Sequence, residues 1–338
     1  MIRIFIIPTW IGHFDKNLNF LQTCQKYSIK IPIKFVVSNW EEELELQSRI
    51  GLSGLGSTLD IQIISIDRVI QKFKPEITIG EIENIKTSIN RFPYIWNPKH
   101  PYQGIKKIYA LRYFEYDQAM LLDSECAFIK ETDMEELFDE YFTSPYVFFT
   151  PHNQLHPNLR IFTNAAQKCL RWSDLSKAKD NWFFENLYWM VDKKIVVDMF
   201  ETIEKEVGTD LYTEYTTNAG EIFEIITYYT YIYINNVKYR YNFLDFFEII
   251  QRYLGDKYTE YTLPKSQRLG GFLEFMLENI DTTTYGSILR FIEDYRIRFC
   301  RPEWCDPDLY IKAVKESPYL NMILACESTP EFCKILNS

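Results

Sequence analysis

The run Ile2–Ile7, β-branched and apolar apart from Arg3, ends in Pro8-Thr9. A stretch of that length and composition suits an interior strand that delivers its carboxyl end to a loop. Helix-spaced apolar positions over Asp15–Tyr27 come next, then a second β-branched run over Ile31–Ser38, an acidic helical stretch over Glu41–Gln47 and a third strand over Asp60–Ile66. Strands alternating with helices in this way predict an α/β fold with a mainly parallel sheet and helices on its faces. Ligands of such sheets bind outside the carboxyl ends of the strands.

The stretch Asn90–Gln103 carries Pro93, Pro98 and Pro101 and reads as a loop leading into a helix over Gln103–Tyr113. A short apolar strand, Ala119–Leu122, then runs into Asp123-Ser124-Glu125, and Tyr146–Thr150 forms one more strand. Beyond it Trp182–Glu206, Gly220–Ile234, Leu244–Tyr253, Phe272–Glu278 and Ile288–Phe299 read as helices, with a short one around Leu309–Lys315. The expected organisation is a ligand-binding α/β part over residues 1–160 and a mainly helical part over residues 161–338 packed on it, with no repeat or clean linker between them.

Composition removes several classes of function. With 37 Lys and Arg against 47 Asp and Glu, the formal net charge of −10 disfavours nucleic acid and anionic lipid, so any phosphate must be met locally. Only 12 Gly stand against 24 Tyr and 25 Phe, which weakens a P-loop or a dinucleotide fingerprint. The seven cysteines are scattered and lack Cys-x-x-Cys pairs, as expected of reduced thiols in a cytoplasmic protein; Cys300 and Cys305 are the only tempting pair. Pro8 breaks the opening segment too early for a secretory apolar region, and no run of eighteen apolar residues suggests a membrane span. The strongly apolar Ile222–Ile234, interrupted by Glu224, reads as a buried helix.

The chemistry concentrates after the strand Ala119–Leu122. On extended backbone, alternation would place Asp123 and Glu125 on one side. Two carboxylates held together repel unless a cation or a proton lies between them. Mg²⁺ and Mn²⁺ accept such a pair and keep sites for water and phosphate oxygens, and a metal on a diphosphate neutralises the charge of a departing nucleotide. An isolated Asp-x-Glu is more often a pair of solvated turn residues.

Here the surroundings matter. Asp123-Ser124-Glu125, preceded by an apolar strand and followed by Ala127-Phe128-Ile129, resembles the metal-binding Asp-x-Asp motif of GT-A-fold glycosyltransferases. Ile4–Thr9 looks like the first strand of that fold, whose end meets the nucleotide base, and Phe35–Asn39 like its second strand. Gln103-Gly104-Ile105-Lys106-Lys107 is similar to the Gln-x-x-x-Lys helix of bacterial polysaccharide- and capsule-type transferases, and Gly220–Glu224 with Tyr228 and Tyr229 to their Ser-Glu-Tyr helix start. Glu125 replaces the second Asp of the motif and Gly220 its Ser.

The resemblance implies a metal-assisted, cytoplasmic transferase that moves a sugar from a UDP- or GDP-sugar to a glycan or lipid-linked acceptor, with possible peripheral contact at the inner membrane face. It places Pro8, Thr9, Trp10 and Asn39 on the base side, Gln103, Lys106, Lys107, Asp123 and Ser124 along the donor, and Mn²⁺ or Mg²⁺ at Asp123, Glu125 and His152, with His156 as the other histidine candidate. Lys106 or Lys107, with Arg112, would meet the phosphates, although a basic helix face is as often simply solvated; only one of the two neighbouring lysines can point at the cleft. An inverting transfer needs a base for the acceptor hydroxyl, for which Glu221 is the first candidate and Glu185, inside an aromatic cluster that reads equally as core, the second. Two other readings stay open: a nucleotidyltransferase, and a binding or scaffold protein that keeps a transferase-like fold without turnover.

Overall fold

A computed structural model of the chain describes residues 1–82, 99–151, 160–170, 181–183, 189–217, 222–255, 282–300 and 307–323. In chain order, β1 (Arg3–Pro8), α1 (Phe14–Lys26), β2 (Ile33–Val37), α2 (Trp40–Ser53), β3 (Ile61–Ser65) and α3 (Ile66–Phe73) form the first half of an α/β layer. The helix α4 (Lys99–Tyr113) leads to β4 (Gln118–Leu121), β5 (Ala127–Phe128), α5 (Met134–Thr143), β6 (Tyr146–Phe149) and α6 (Arg160–Cys169). There follow β7 (Trp189–Asp192), α7 (Lys193–Glu201), α8 (Leu211–Thr217), α9 (Glu224–Ile234), α10 (Asn236–Tyr239), β8 (Asn242–Asp245) and α11 (Phe246–Leu254). The last described elements are α12 (Tyr285–Asp294), β9 (Phe299–Cys300), α13 (Pro307–Glu316) and β10 (Met322–Ile323).

The central sheet has the order β3-β2-β1-β4-β7. β3, β2, β1 and β4 are parallel, and all six residues of β1 are buried, as its apolar run requires for a strand covered on both faces. The strand order reverses at β1: β2 and β3 lie on one side of it and β4 on the other. In open α/β sheets such a reversal is where ligands enter a crevice between the flanking carboxyl ends, here those of β1 and β4. Helix α4 packs across the β1 and β2 side of the sheet, and α2 is held at both ends, by the Asn39 side chain accepting from the Glu42 N–H at 2.9 Å and by Gly54 in the left-handed region at φ 75°.

Several expectations change: the helix expected from Gln103 already begins at Lys99, and the one expected over Ile288–Phe299 ends at Asp294, before the short strand β9. Trp182–Glu206 is not one helix, because β7 pairs antiparallel with β4, Leu121 opposite Trp189, before Asp192 caps α7. An apolar run of four residues buried in a sheet carries no period that separates it from a helix. Leu244–Tyr253 likewise divides into β8 and α11, with Asp245 accepting from the Phe247 and Glu248 N–H groups at the junction. The strand over Tyr146–Phe149 exists but pairs with β8 in a separate two-stranded sheet. The expected helix Phe272–Glu278 lies outside the described residues.

Helix α9 is buried from Glu224 to Ile232 and packs on α6. An all-round apolar helix belongs inside a protein, as its sequence implied. No helix among the described residues is long and apolar enough to cross a membrane. Cys24, Cys126 and Cys169 are buried and outside any disulfide; burial pushes the Cys24 thiol well up and that of Cys169 up to about 12, which leaves these two unreactive. Cys305 lies outside the described residues.

Candidate active site

The crevice is built from the residues that leave β1, β2 and β4. After β1, the Thr9 N–H bonds to the Val36 carbonyl at 2.9 Å, so the ends of β1 and β2 stay in step. Pro8 and Thr9 are buried, Trp10 and Asn39 partly so. Trp10 folds back on the next turn: its indole stands 5.1 Å from the His13 ring, and a Cβ at Gly12 would come within 2.3 Å of it. Only glycine fits beneath that ring.

After β4, Leu122 continues in step with β1 through its N–H to the Ile6 carbonyl. The backbone then turns, with the Cys126 N–H reaching the Asp123 carbonyl at 3.3 Å. This overturns the expectation of extended backbone through Asp-x-Glu. In a turn the two carboxylates diverge instead of sharing a side. Asp123 faces Lys107 of α4, Nζ to Oδ1 3.1 Å, while Glu125 faces Lys16 of α1 at 2.6 Å and His13 Nε2 at 3.4 Å. Between them Ser124 is buried; its Oγ lies 2.6 Å from His13 Nδ1, and its carbonyl accepts from the Asn17 side chain at 3.0 Å. Asn17 in turn takes the Thr9 hydroxyl at 2.6 Å, closing a polar bridge between the β1 and β4 ends.

Lys106 and Lys107 diverge, as neighbours on a helix must, yet both are buried. Lys106 donates to the Thr9 carbonyl at 2.5 Å and to Ser38 Oγ at 3.0 Å, with the Tyr102 ring below it, and so ties the β1 and β2 ends together. Lys107 lies between Asp123 and Glu224, whose Oε1 is 3.3 Å away, and over the Trp189 ring at 4.0 Å. The side chains of Lys107 and Glu224 are each only 4% exposed, that of Asp123 31%. Burial pulls the Lys107 pKa down, and the two carboxylates more than reverse this, so it stays above the ordinary lysine value.

Glu224 owes its place to Gly104, where a Cβ would stand 2.8 Å from Glu224 Oε2 and 3.1 Å from the Tyr215 ring. Sequence reasoning assigned no role to Glu224. The signal was present, because a lone carboxylate inside an apolar segment must be paired if it is buried. His13 and Lys16 were also missed; their spacing of three places them on one face of the chain as it enters α1. Gln103 is half-buried on α4. Arg112 does not join the site: five residues beyond Lys107 it has turned about 140° around the helix, where it pairs with Glu204 and covers the Phe73 and Phe200 rings. Glu221, Glu185, His152 and His156 lie outside the described residues.

The resemblance implies Mn²⁺ or Mg²⁺ at Asp123, Glu125 and His152; His152 lies outside the described residues, and Asp123 and Glu125 do not converge on one ion. The two carboxylates point at different lysines, and Lys107 is locked between two acids. An ammonium about 4 Å from a divalent ion opposes it by about 8 kcal/mol at an effective dielectric near 20. Among the described residues no group of three or more His, Cys, Asp and Glu side chains could hold a metal ion. The described residues therefore do not fit a divalent ion shared by Asp123 and Glu125.

No protein-family model matches the chain, and no curated protein matches it. Among solved structures, it is similar to mouse xyloside xylosyltransferase 1 in its apo form at 8% identity and a TM-score of 0.36, over 78% of this chain and 94% of that one. It is similar to the galactosyltransferase LgtC, solved with donor and acceptor sugar analogues, at 10% identity and a TM-score of 0.35, over 86% and 94%. S. aureus TarS aligns at 12% identity and a TM-score of 0.30, over 94% of this chain and 50% of that one.

Proposed function

We propose that the chain is a glycosyltransferase of GT-A-like fold that moves a sugar from a nucleotide-diphosphate donor, a UDP- or GDP-sugar, to a hydroxyl of a glycan or lipid-linked acceptor. The observation that carries this reading is the charged crevice at the strand-order reversal, where the β4 turn Asp123–Glu125 stands beside the β1 end Thr9–Trp10. Such a crevice is where open α/β sheets take nucleotides. The sequence resemblance falls on the same residues.

In this reading Trp10 and Asn39 flank the base, with Thr9 and Lys106 fixing the strand ends beneath it. The diphosphate lies toward the β4 turn. Transfer breaks the bond between the sugar's anomeric carbon and a β-phosphate oxygen, which keeps the electron pair. The acceptor oxygen forms the new bond and gives its proton to a base, the role proposed for Glu221, with Glu185 as the other candidate. The first 160 residues would carry the donor and the rest the acceptor.

A thermal-shift panel of UDP, GDP, CDP, CMP and dTDP, each with Mn²⁺ and with EDTA, tests the reading. A ligand at a hundred times its Kd stabilises the fold by about 2.7 kcal/mol, an easily seen change in Tm. At least one nucleotide is expected to give it, and Asp123→Ala to lose it. A flat panel under both conditions would assign the chain to the non-catalytic binding proteins instead.

A further inference from the structure

We infer that Glu224, at the start of α9, is a positioning residue for the proposed donor site, acting through Lys107 on Asp123 of the turn after β4. The inference rests on the transferase reading and gives the second half of the chain a part in the donor side.

Three observations carry it. The Lys107 ammonium stands 3.1 Å from Asp123 Oδ1 and 3.3 Å from Glu224 Oε1, so one cation joins a carboxylate of the donor turn to a carboxylate of α9. The Trp189 ring, from β7, covers the same ammonium at 4.0 Å, so two of the groups around it come from beyond residue 160. Finally, the backbone of α4 makes room for the arrangement. A Cβ at Gly104 would stand 2.8 Å from Glu224 Oε2 and 3.1 Å from the buried Tyr215 ring, so the carboxylate passes α4 only because that position has no side chain.

A lysine carries a flexible four-carbon stem and a rotatable ammonium, and one carboxylate leaves it several arrangements. A second carboxylate and an aromatic face select one of them. Withdrawing Lys107 and Glu224 from water costs desolvation that apolar side chains would avoid, so stability alone gives no reason for the pair. With only 4% of its side chain exposed, Glu224 does not meet the donor itself. Whatever else holds Asp123, removing the Glu224 charge changes where Lys107 stands and so what Asp123 meets.

Calorimetric titration of UDP and of GDP into the full chain tests this as a double-mutant cycle, in Mn²⁺ or in EDTA, whichever gives the tighter wild-type binding. Glu224→Gln, which keeps the shape and removes the charge, is expected to weaken the nucleotide by about three- to tenfold. In a Lys107→Met background the same change is expected to have no further effect, within about twofold, because the group that transmits it is gone. Should Lys107→Met not fold, Gly104→Ala supplies the second arm: it presses on Glu224 and leaves every charge in place. It is expected to weaken binding alone and to add nothing to Glu224→Gln. A purely structural role would lower the melting temperature of Glu224→Gln and leave its affinity unchanged, and that result would overturn the inference while the transferase reading stands. Equal losses from Glu224→Gln with and without Lys107, or with and without Gly104→Ala where that arm is used, would also overturn it. Binding of neither nucleotide to the wild type in either buffer would instead remove the transferase reading, and the inference with it.

Discussion

The two ends of β1 both carry buried cations, and they are built on opposite plans. At the amino end Arg3 is buried over the Phe138 ring and pairs with Glu135 and Asp139, whose side chains are 65% and 70% exposed. Solvated acids of this kind cost little to place and contribute little. At the carboxyl end Lys107 and Glu224 are both withdrawn from water. Removing both charges of a pair from solvent is expensive, and well-packed apolar residues often stabilise as much. Burial of that kind, at the strand-order reversal, is what the proposed donor site would use, and stability alone does not require it.

Lys107→Met separates the two ends most sharply. It leaves Asp123 and Glu224 facing each other without a cation, and equilibrium unfolding in urea should show a loss of about 3–5 kcal/mol. Combining it with Glu224→Gln should return much of that loss, and a double variant no more stable than the single one would break the comparison. Gly104→Ala comes next. Its Cβ would press on Glu224 and the Tyr215 ring, and an overpacking cost of about 1–3 kcal/mol should outweigh the gain of up to about 1 kcal/mol from alanine's helix propensity. At the amino end, Glu135→Ala with Asp139→Ala leaves Arg3 its bonds to Gln118 and the residue-135 carbonyl and should cost less than Lys107→Met by the same measurement. A large effect there would mean the two ends are alike after all.

A further effect is in pH. Lys193 donates to the carbonyls of Leu111, Arg112 and Phe114 at the end of α4, and burial lowers its pKa to about 8. Between that value and the ordinary lysine value the unfolded chain holds more protons, so stability should rise with pH across this window. Lys107, shifted the other way, keeps its contribution throughout the window and loses it only above the ordinary value. Thermal melts from pH 8 to 10, approximately spanning that window, should show the rise in the wild type and a flatter profile in Lys193→Met.

The sequence made the first half of the fold legible because β1, β2 and β3 are continuous β-branched runs separated by helix-spaced segments. β7 and β8 were not, since four residues carry no usable period and their partners are distant in the chain: Leu121 for Trp189 and Val147 for Phe243. Asp123, Glu125 and Lys107 were singled out from motif and spacing, and the structure pairs Asp123 with Lys107 and Glu125 with Lys16. Their geometry was not, because alternation holds only while the backbone is extended, and the Cys126 N–H closes a turn there. Glu224 was visible as an acid in an apolar segment, but nothing local tells that its partner is a lysine more than a hundred residues away.

Photolabelling tests the central claim, that the carboxyl edge of the sheet at β1, β2 and β4 is a nucleotide-diphosphate site, most directly. The full chain would be irradiated with base-azido UDP or GDP and the labelled peptides mapped by mass spectrometry. Label in the peptides holding Thr9–Lys16 or Ser38–Glu42, suppressed by an excess of the unmodified nucleotide, is the predicted result. Label confined to other peptides, or label that the unmodified nucleotide does not suppress, would contradict it.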